Sequence, residues 1–242
     1  MMYSRKGPLD TIQWGLNSSF GENREYIKLF SHPHLYAPFK PPAFSNILEE
    51  YTKEMRIVVD GLAKAISKTL GFEEKYIEKA FKLKSGFDVM SMNLYPVNSR
   101  TKGPFGFPEH TDPGFVIALT QDVDGGLQIL SHQGKWINCH IPHHAILIQL
   151  GDQLEILTNG KYKSHIHRVT VDNIMVERIS VVTLHGPSLH KVISPAKEFV
   201  DDEHPKKYHE VTYKESLEGN GLFGPIDLHS SIAELRLPQN LD

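Results

Sequence analysis

"FPEHTDPGFVIALTQDVDGGLQILSHQGKWINCH", residues 107–140, decides the fold. Short runs rich in Val, Ile and Leu are cut by Pro113-Gly114, Gly125-Gly126 and Gly134, and no helical period links them. The same texture fills the chain from Gly86 to Pro187, in "FDVMSMNLYPV", "HAILIQLGD", "YKSHIHRVTVD" and "ERISVVTLHGP". Closely spaced strands with turns between them argue for an all-β sandwich or barrel and against βαβ units.

The flanks read differently. Residues 1–44 carry Pro8, Pro33, Pro38 and the pair Pro41-Pro42, and read as loop with a short helix near Asn23 to Phe30. A clear helix follows, with Ser45 as its N-cap, a stripe of Ile47, Tyr51, Met55, Val58, Leu62, Ala65 and Leu70, and Gly71 as its stop. A second helix is expected over Glu73 to Lys82, and another within "HPKKYHEVTYKESLEG".

Composition narrows the function. The 242 residues suffice for a full core, and a net charge of −3 gives no reason to expect nucleic acid or an anionic membrane as partner. Cys139 is the one cysteine, so an internal disulfide is excluded and a reducing, cytoplasmic setting is expected. No apolar run approaches the roughly 18 residues of a spanning helix, and the start lacks a secretory-type apolar stretch.

Within the β region, His110 and Asp112 stand two apart, a spacing that in a strand projects both side chains to one side. Alone the pair says little, since chance produces roughly 0.7 His-x-Asp pairs in a chain of this composition. Order and context add force. In "YKSHIHRV" either His165 or His167 could face a barrel interior, and Arg178 and Ser180 follow, again two apart. Two histidines and a carboxylate with open coordination positions are the facial set of non-haem iron(II) oxygenases. A neighbouring arginine and serine suit the distal carboxylate of a 2-oxoacid.

With those residues in view, the chain resembles the plant iron(II)- and 2-oxoglutarate-dependent dioxygenases. The likeness lies in "MNLYP", "FPEHTDPGFVIALTQD", "GGLQIL", "GKWI", "ILIQLGDQLEILTNGKYKSHIHRV" and "ERISVVTLHGP", and is dense from Asn93 to Pro187. The resemblance implies a mainly β fold with flanking helices around a double-stranded β-helix (jelly roll). It makes 87–190 the catalytic core, 1–86 a remnant of the N-terminal region with supporting helices, and 191–242 a C-terminal helix and tail. His110, Asp112 and His167 become the metal ligands, the pattern "KS-x-x-HRV" selecting His167 over His165. Arg178, Ser180 and Tyr95 become the holders of the distal carboxylate, with Asn93 beside the cosubstrate.

Implied cofactors are Fe(II), 2-oxoglutarate as cosubstrate, dioxygen, and ascorbate as reductant. The expected activity is hydroxylation, demethylation or desaturation of an apolar plant specialised metabolite, flavonoid or alkaloid in type. Leu184, Phe115, Leu127 and His165 are the expected substrate contacts, and nothing basic beyond Arg178 marks a site for a strongly anionic substrate. A truncated regulatory form and a hormone-oxidising dioxygenase are the alternatives. Family members carry a longer region ahead of "NREYIKLFSHPH", so an uncovered sheet edge and self-association are expected.

Overall fold

A computed structural model describes residues 12–16, 23–97, 105–171, 176–220 and 231–238. Two antiparallel sheets face each other as a jelly roll. The larger has six strands in the order β1-β2-β3-β10-β5-β8: β1 (Ile12–Leu16), β2 (Glu25–His32), β3 (Phe87–Tyr95), β10 (Arg178–Gly186), β5 (Val116–Gln121) and β8 (Leu147–Leu150). The smaller runs β4-β9-β6-β7, from β4 (Phe105–His110), β9 (His167–Thr170), β6 (Leu127–Leu130) and β7 (Trp136–Asn138). Beyond them β11 (Val192–Ile193) pairs β12 (Val211–Thr212).

Strand alternation sorts the side chains. On β5, Leu119 turns inward to meet Tyr95, Leu127 and Val169 between the two sheets. Val116 and Ala118 turn outward, against helix α1 (Phe44–Thr69), helix α2 (Tyr76–Phe81) and helix α3 (Asp152–Leu157). The six-stranded sheet is therefore covered by helices on one face and encloses the cavity with the other. Among the described residues no helix is long and apolar enough to cross a membrane.

Several sequence expectations change. Within residues 1–44, Ile12–Leu16 and Glu25–His32 are the strands β1 and β2, so the helix expected near Asn23 to Phe30 is a strand, while 33–43 is irregular as expected; β2 pairs with β3 from Glu25↔Leu94 to Leu29↔Met90. "EYIKLF" is rich in aromatic and branched residues without a clear period, and pairing with the edge of β3 decides it as strand. The six-stranded sheet thus runs across residue 86. Helix α1 begins at Phe44 after Ala43, which makes no side-chain cap bond, so Ser45 lies inside the first turn. Its buried face is Leu48, Met55, Val59, Ala63 and Ser67, while Ile47, Val58 and Ala65 are exposed. Of the expected stripe, Met55 and Leu70 are buried and Tyr51 and Leu62 pack half-buried against the core, the buried face elsewhere lying one residue on, at Leu48, Val59 and Ala63. The second helix is shorter than expected, and α3 lies inside the β-rich stretch, following β8 after Gly151 alone. Near the C-terminus, helix α4 (Tyr213–Gly219) starts on a capping box between Thr212 and Glu215. Helix α5 (Ser231–Glu234) closes the described chain.

One buried ionic group ties α1 to the sheet. Asp88 on β3 accepts from Arg56 Nη1 at 2.6 Å and from His185 Nδ1 at 3.0 Å, and Arg56 also donates to the Leu83 carbonyl at 2.8 Å. Burial alone would raise the Asp88 carboxyl, but His185 and Arg56 outweigh it and hold the group below its ordinary value. The linkage sign follows: this stabilisation is present above the unfolded carboxyl pKa of about 3.9 and is lost as pH falls through the lower folded value. Asp88→Ala should cost about 3–5 kcal/mol, since it leaves buried partners without their carboxylate. Urea unfolding at pH 7 measures that loss, and a difference from wild type that failed to shrink in acid would place the tie elsewhere.

Candidate metal centre and its cavity

β4 ends at His110 and β9 begins at His167, and the two are cross-strand partners. Asp112 lies two residues on, in the loop to β5, so the carboxylate reaches the imidazoles from beyond the strand end, not from within it. Candidate ligand atoms of all three lie within 4.8 Å of one another. Asp112 Oδ1 is 3.8 Å from His110 Nε2, and Oδ2 is 3.4 Å from His167 Nε2.

Each ring is oriented by its other nitrogen. His110 Nδ1 donates to the Pro108 carbonyl at 2.8 Å and His167 Nδ1 to the His165 carbonyl at 3.2 Å. Those bonds assign the proton to Nδ1 and leave both Nε2 lone pairs facing Asp112. Burial, then the neighbouring His167, holds His110 well below the ordinary imidazole value, so it is neutral. Burial raises the Asp112 carboxyl above its usual range. Two imidazole Nε2 atoms and a carboxylate that burial penalises form a donor set that a divalent cation would satisfy, with three ligands and open positions.

The loop is held from below. Asp152 N–H donates to the Asp112 carbonyl at 2.9 Å and Gln153 N–H to the Gly114 carbonyl at 3.1 Å. A side chain on Gly151 would collide with the Gly114 carbonyl, so "QLGD" needs glycine for close backbone approach. Asp152 is itself buried, which pushes its carboxyl well above the usual range, and it accepts from Thr111 Oγ1 at 3.1 Å.

Across the cavity, the β3–β10 register sets Arg178 opposite Tyr95 and Ser180 opposite Asn93. Arg178 is 1% exposed, lies 4.9 Å over the Tyr95 ring, and donates through Nη2 to Gln121 Oε1 at 2.8 Å. Its Nε and Nη1 have no hydrogen-bond partner among the described residues. A buried guanidinium whose hydrogen-bonded neighbour is a neutral amide calls for an anion. Asn93 Nδ2 donates to Ser180 Oγ at 3.4 Å.

His110, Asp112, His167, Arg178, Ser180, Tyr95 and Asn93 all line one cleft, as do Leu127 and Leu184. Its empty volume is about 980 Å³, counted out to open solvent. Phe115 does not line it: the residue precedes β5 and packs on Phe81 in the helix-side core, and Leu119 takes the wall position. His165 does not line it either. β9 starts only at His167, so alternation does not extend back to His165, whose ring lies 5.2 Å from that of His132.

Residues the sequence reading missed also line the cleft. Arg24 and Lys28 are two, against the expectation that nothing basic lies there beyond Arg178. Their signal was the two-residue spacing Arg24-x-Tyr26-x-Lys28, hidden by reading Asn23 to Phe30 as a short helix. Gln149 is a third, with both amide atoms buried and without a hydrogen-bond partner among the described residues.

A model of the 2OG-Fe(II) oxygenase superfamily matches residues 86–187. "2-oxoglutarate-dependent dioxygenase 19" of Oryza sativa subsp. japonica is 33% identical over 222 residues, which is 89% of this chain and 65% of that protein. "Flavanone 3-dioxygenase 2" of the same organism is 36% identical over 197 residues, 79% of this chain and 56% of that one. The solved structure of JOX2 in complex with 2OG, Fe and JA matches at 30% identity and a TM-score of 0.75, over 81% of this chain and 59% of that one. The chain spans between 56% and 65% of the length of these relatives.

The triad geometry makes a discriminating prediction between the two histidines of "SHIHRV". His167→Ala should abolish stoichiometric binding of Co(II) or Fe(II) in a titration, while His165→Ala should retain it. The opposite result would move the third ligand to His165.

Proposed function

The chain belongs to the 2OG-Fe(II) oxygenase superfamily, and from that membership we propose that it is a 2-oxoglutarate-dependent oxygenase acting on a small molecule with a largely apolar body. The observation that carries the reading is the pairing, in one cleft, of a His-Asp-His cluster with a buried arginine that has two donors unpartnered among the described residues.

His110, Asp112 and His167 would hold ferrous iron. Iron and 2-oxoglutarate bound there would supply the activation of dioxygen, with oxidation of the keto acid to succinate and carbon dioxide coupled to oxidation of the substrate. The protein's own part is placement and exclusion. Arg178 offers the far carboxylate a charge already desolvated and held by Gln121 and the Tyr95 ring. Ser180 presents a hydroxyl on the same strand face, and Asn93 steadies it. Thr111 and the first turn of α3 fix the loop that carries Asp112.

For the substrate, Leu119, Leu127, Val169, Val182 and Leu184 form an apolar wall that keeps water from the reacting carbon. That wall supports a flavonoid- or alkaloid-like body, hydroxylated, demethylated or desaturated. Similarity to a protein named as a flavanone dioxygenase points the same way.

Arg178 supplies the test. A hydrogen bond to a charged group contributes about 1.5–3 kcal/mol, or roughly ten- to a hundredfold in affinity. Arg178→Ala should raise the 2-oxoglutarate concentration for half-maximal succinate release on that scale, and Ser180→Ala by less, in assays with Fe(II) and ascorbate. An unchanged requirement would remove Arg178 from the cosubstrate site.

A further inference from the structure

We propose that Gln149 reads a neutral donor–acceptor pair on the substrate, of the kind that the N–H and C=O of a lactam ring present side by side; the inference rests on the oxygenase reading above and names the substrate chemistry of that site. Strand register places the residue. Gln149 on β8 pairs with Ile117, Ile117 with Leu184, and Leu184 with Val89, so the four form one row across the six-stranded sheet. Leu147, two residues earlier on β8, packs between the two sheets, whereas Ile148 and Leu150 pack on the helix side. Gln149 therefore faces inward, and it lines the cleft together with Leu184 and Val89.

The amide is out of keeping with that row. Ile117, Leu184 and Val89 belong to one buried apolar cluster. Among the described residues neither Nε2 nor Oε1 of Gln149 has a hydrogen-bond partner, although both atoms are closed to water. A glutamine on the edge strand of a sheet could turn its amide to solvent, and this one does not. An unpaired buried amide is destabilising, and a ligand that bonds both of its atoms removes that cost. The unpartnered donors of Arg178 are in the same condition, and both residues line one cleft.

The two sites ask for different groups. On β10, Leu184 stands six residues from Arg178, about 20 Å of strand. With its far carboxylate at Arg178, 2-oxoglutarate leaves the Gln149 row to another molecule. That row lies beside the metal loop, since β8 runs on into Gly151, whose N–H donates to the Phe115 carbonyl at 3.1 Å, and Asp152, whose N–H donates to the Asp112 carbonyl at 2.9 Å. A group held by Gln149 is thereby set next to the carbon to be oxidised. An amide head offers one donating and one accepting atom in a plane, whichever way it is turned. A carboxylate or a lone carbonyl would pair Nε2 and leave Oε1 without a donor. An N–H and a C=O adjacent on one ring edge pair both, and the ring then lies against Leu184, Val89 and Leu127.

The test uses three bicyclic probes of similar size on the full chain loaded with zinc and saturated with 2-oxoglutarate, titrated by ligand-observed NMR. 2-Quinolone carries the lactam N–H and C=O, while coumarin and 1-methyl-2-quinolone keep the C=O and lack the N–H. 2-Quinolone should bind roughly ten- to a hundredfold more tightly than the other two. Gln149→Met should erase that preference, Gln149→Asn should keep part of it, and the affinity for 2-oxoglutarate should be unchanged in both. Because Met fills a similar volume without an unpaired amide, Gln149→Met should also melt higher than the wild type, by roughly 2–8 °C. A 2-quinolone that fails to bind, or binds no better than coumarin, overturns the proposal, and so does a preference that survives Gln149→Met. A Gln149→Met chain that melts lower or fails to fold gives the amide a structural role and overturns it too. Gln149→Met weakening 2-oxoglutarate more than 2-quinolone would assign the amide to the cosubstrate. A wild-type chain that binds 2-quinolone through Gln149 yet never binds 2-oxoglutarate would overturn the oxygenase reading and leave the recognition site standing.

Discussion

Side chains two apart on a strand share a face, and the site depends on that rule operating across the pairing of β3 with β10. Arg178 and Ser180 point into the cleft from one strand, and Tyr95 and Asn93 meet them from the other. A slip of one residue would turn Arg178 and Ser180 outward and bring Ile179 and Val181 in. The register is defended at its other end too, where Leu184 faces Val89 inside and His185 faces Asp88 outside. Apolar burial and ionic pairing therefore enforce the same alignment, and the chemistry inherits it.

Buried charge separates structural from functional groups in this molecule. Asp88 is closed off by Arg56 and His185. Glu155 is likewise enclosed, accepting from Tyr208, Lys163, Arg236 and the Ser164 N–H, and it raises the Tyr208 hydroxyl pKa along with burial. These networks have their partners within the chain and anchor helices to the sheet. Asp112 and Arg178 differ. Asp112 is largely enclosed beside two imidazoles, and Arg178 is buried beside a neutral amide and a ring. The cost of burying each is met only by something that binds.

The β region from Gly86 to Pro187 was legible because strand alternation and turn residues survive in a single sequence, and because the chemistry-bearing residues sit in that region at fixed spacings. The site was legible for the same reason: His110, Asp112, Arg178 and Ser180 come as pairs two apart. His167 was separated from His165 only by resemblance, and the physical distinction, that β9 starts at His167, is a matter of tertiary pairing. The N-terminal strands were lost behind prolines, which signal turns, and most of β2 was read as a short helix. With them went Arg24 and Lys28. Phe115 was misplaced because alternation counts only from the first residue of a strand, and β5 starts at Val116. The rotated face of α1 has a similar origin, since a helix with apolar residues on two adjacent stripes lets its docking partner choose between them.

The position of β10 has a consequence for how the molecule comes into being. It is the tenth strand along the chain, yet it lies in the middle of the six-stranded sheet, between β3 and β5. Until residue 186 has been synthesised, β3 and β5 each present one unpaired edge, their other edges being taken by β2 and β8. Closure must join residues as far apart in sequence as Phe87 and Gly186, a non-local step with a large loop-closure entropy. The nascent protein therefore spends its most association-prone interval waiting for one strand. When that strand inserts, it completes the sheet and delivers Arg178 and Ser180 in a single event.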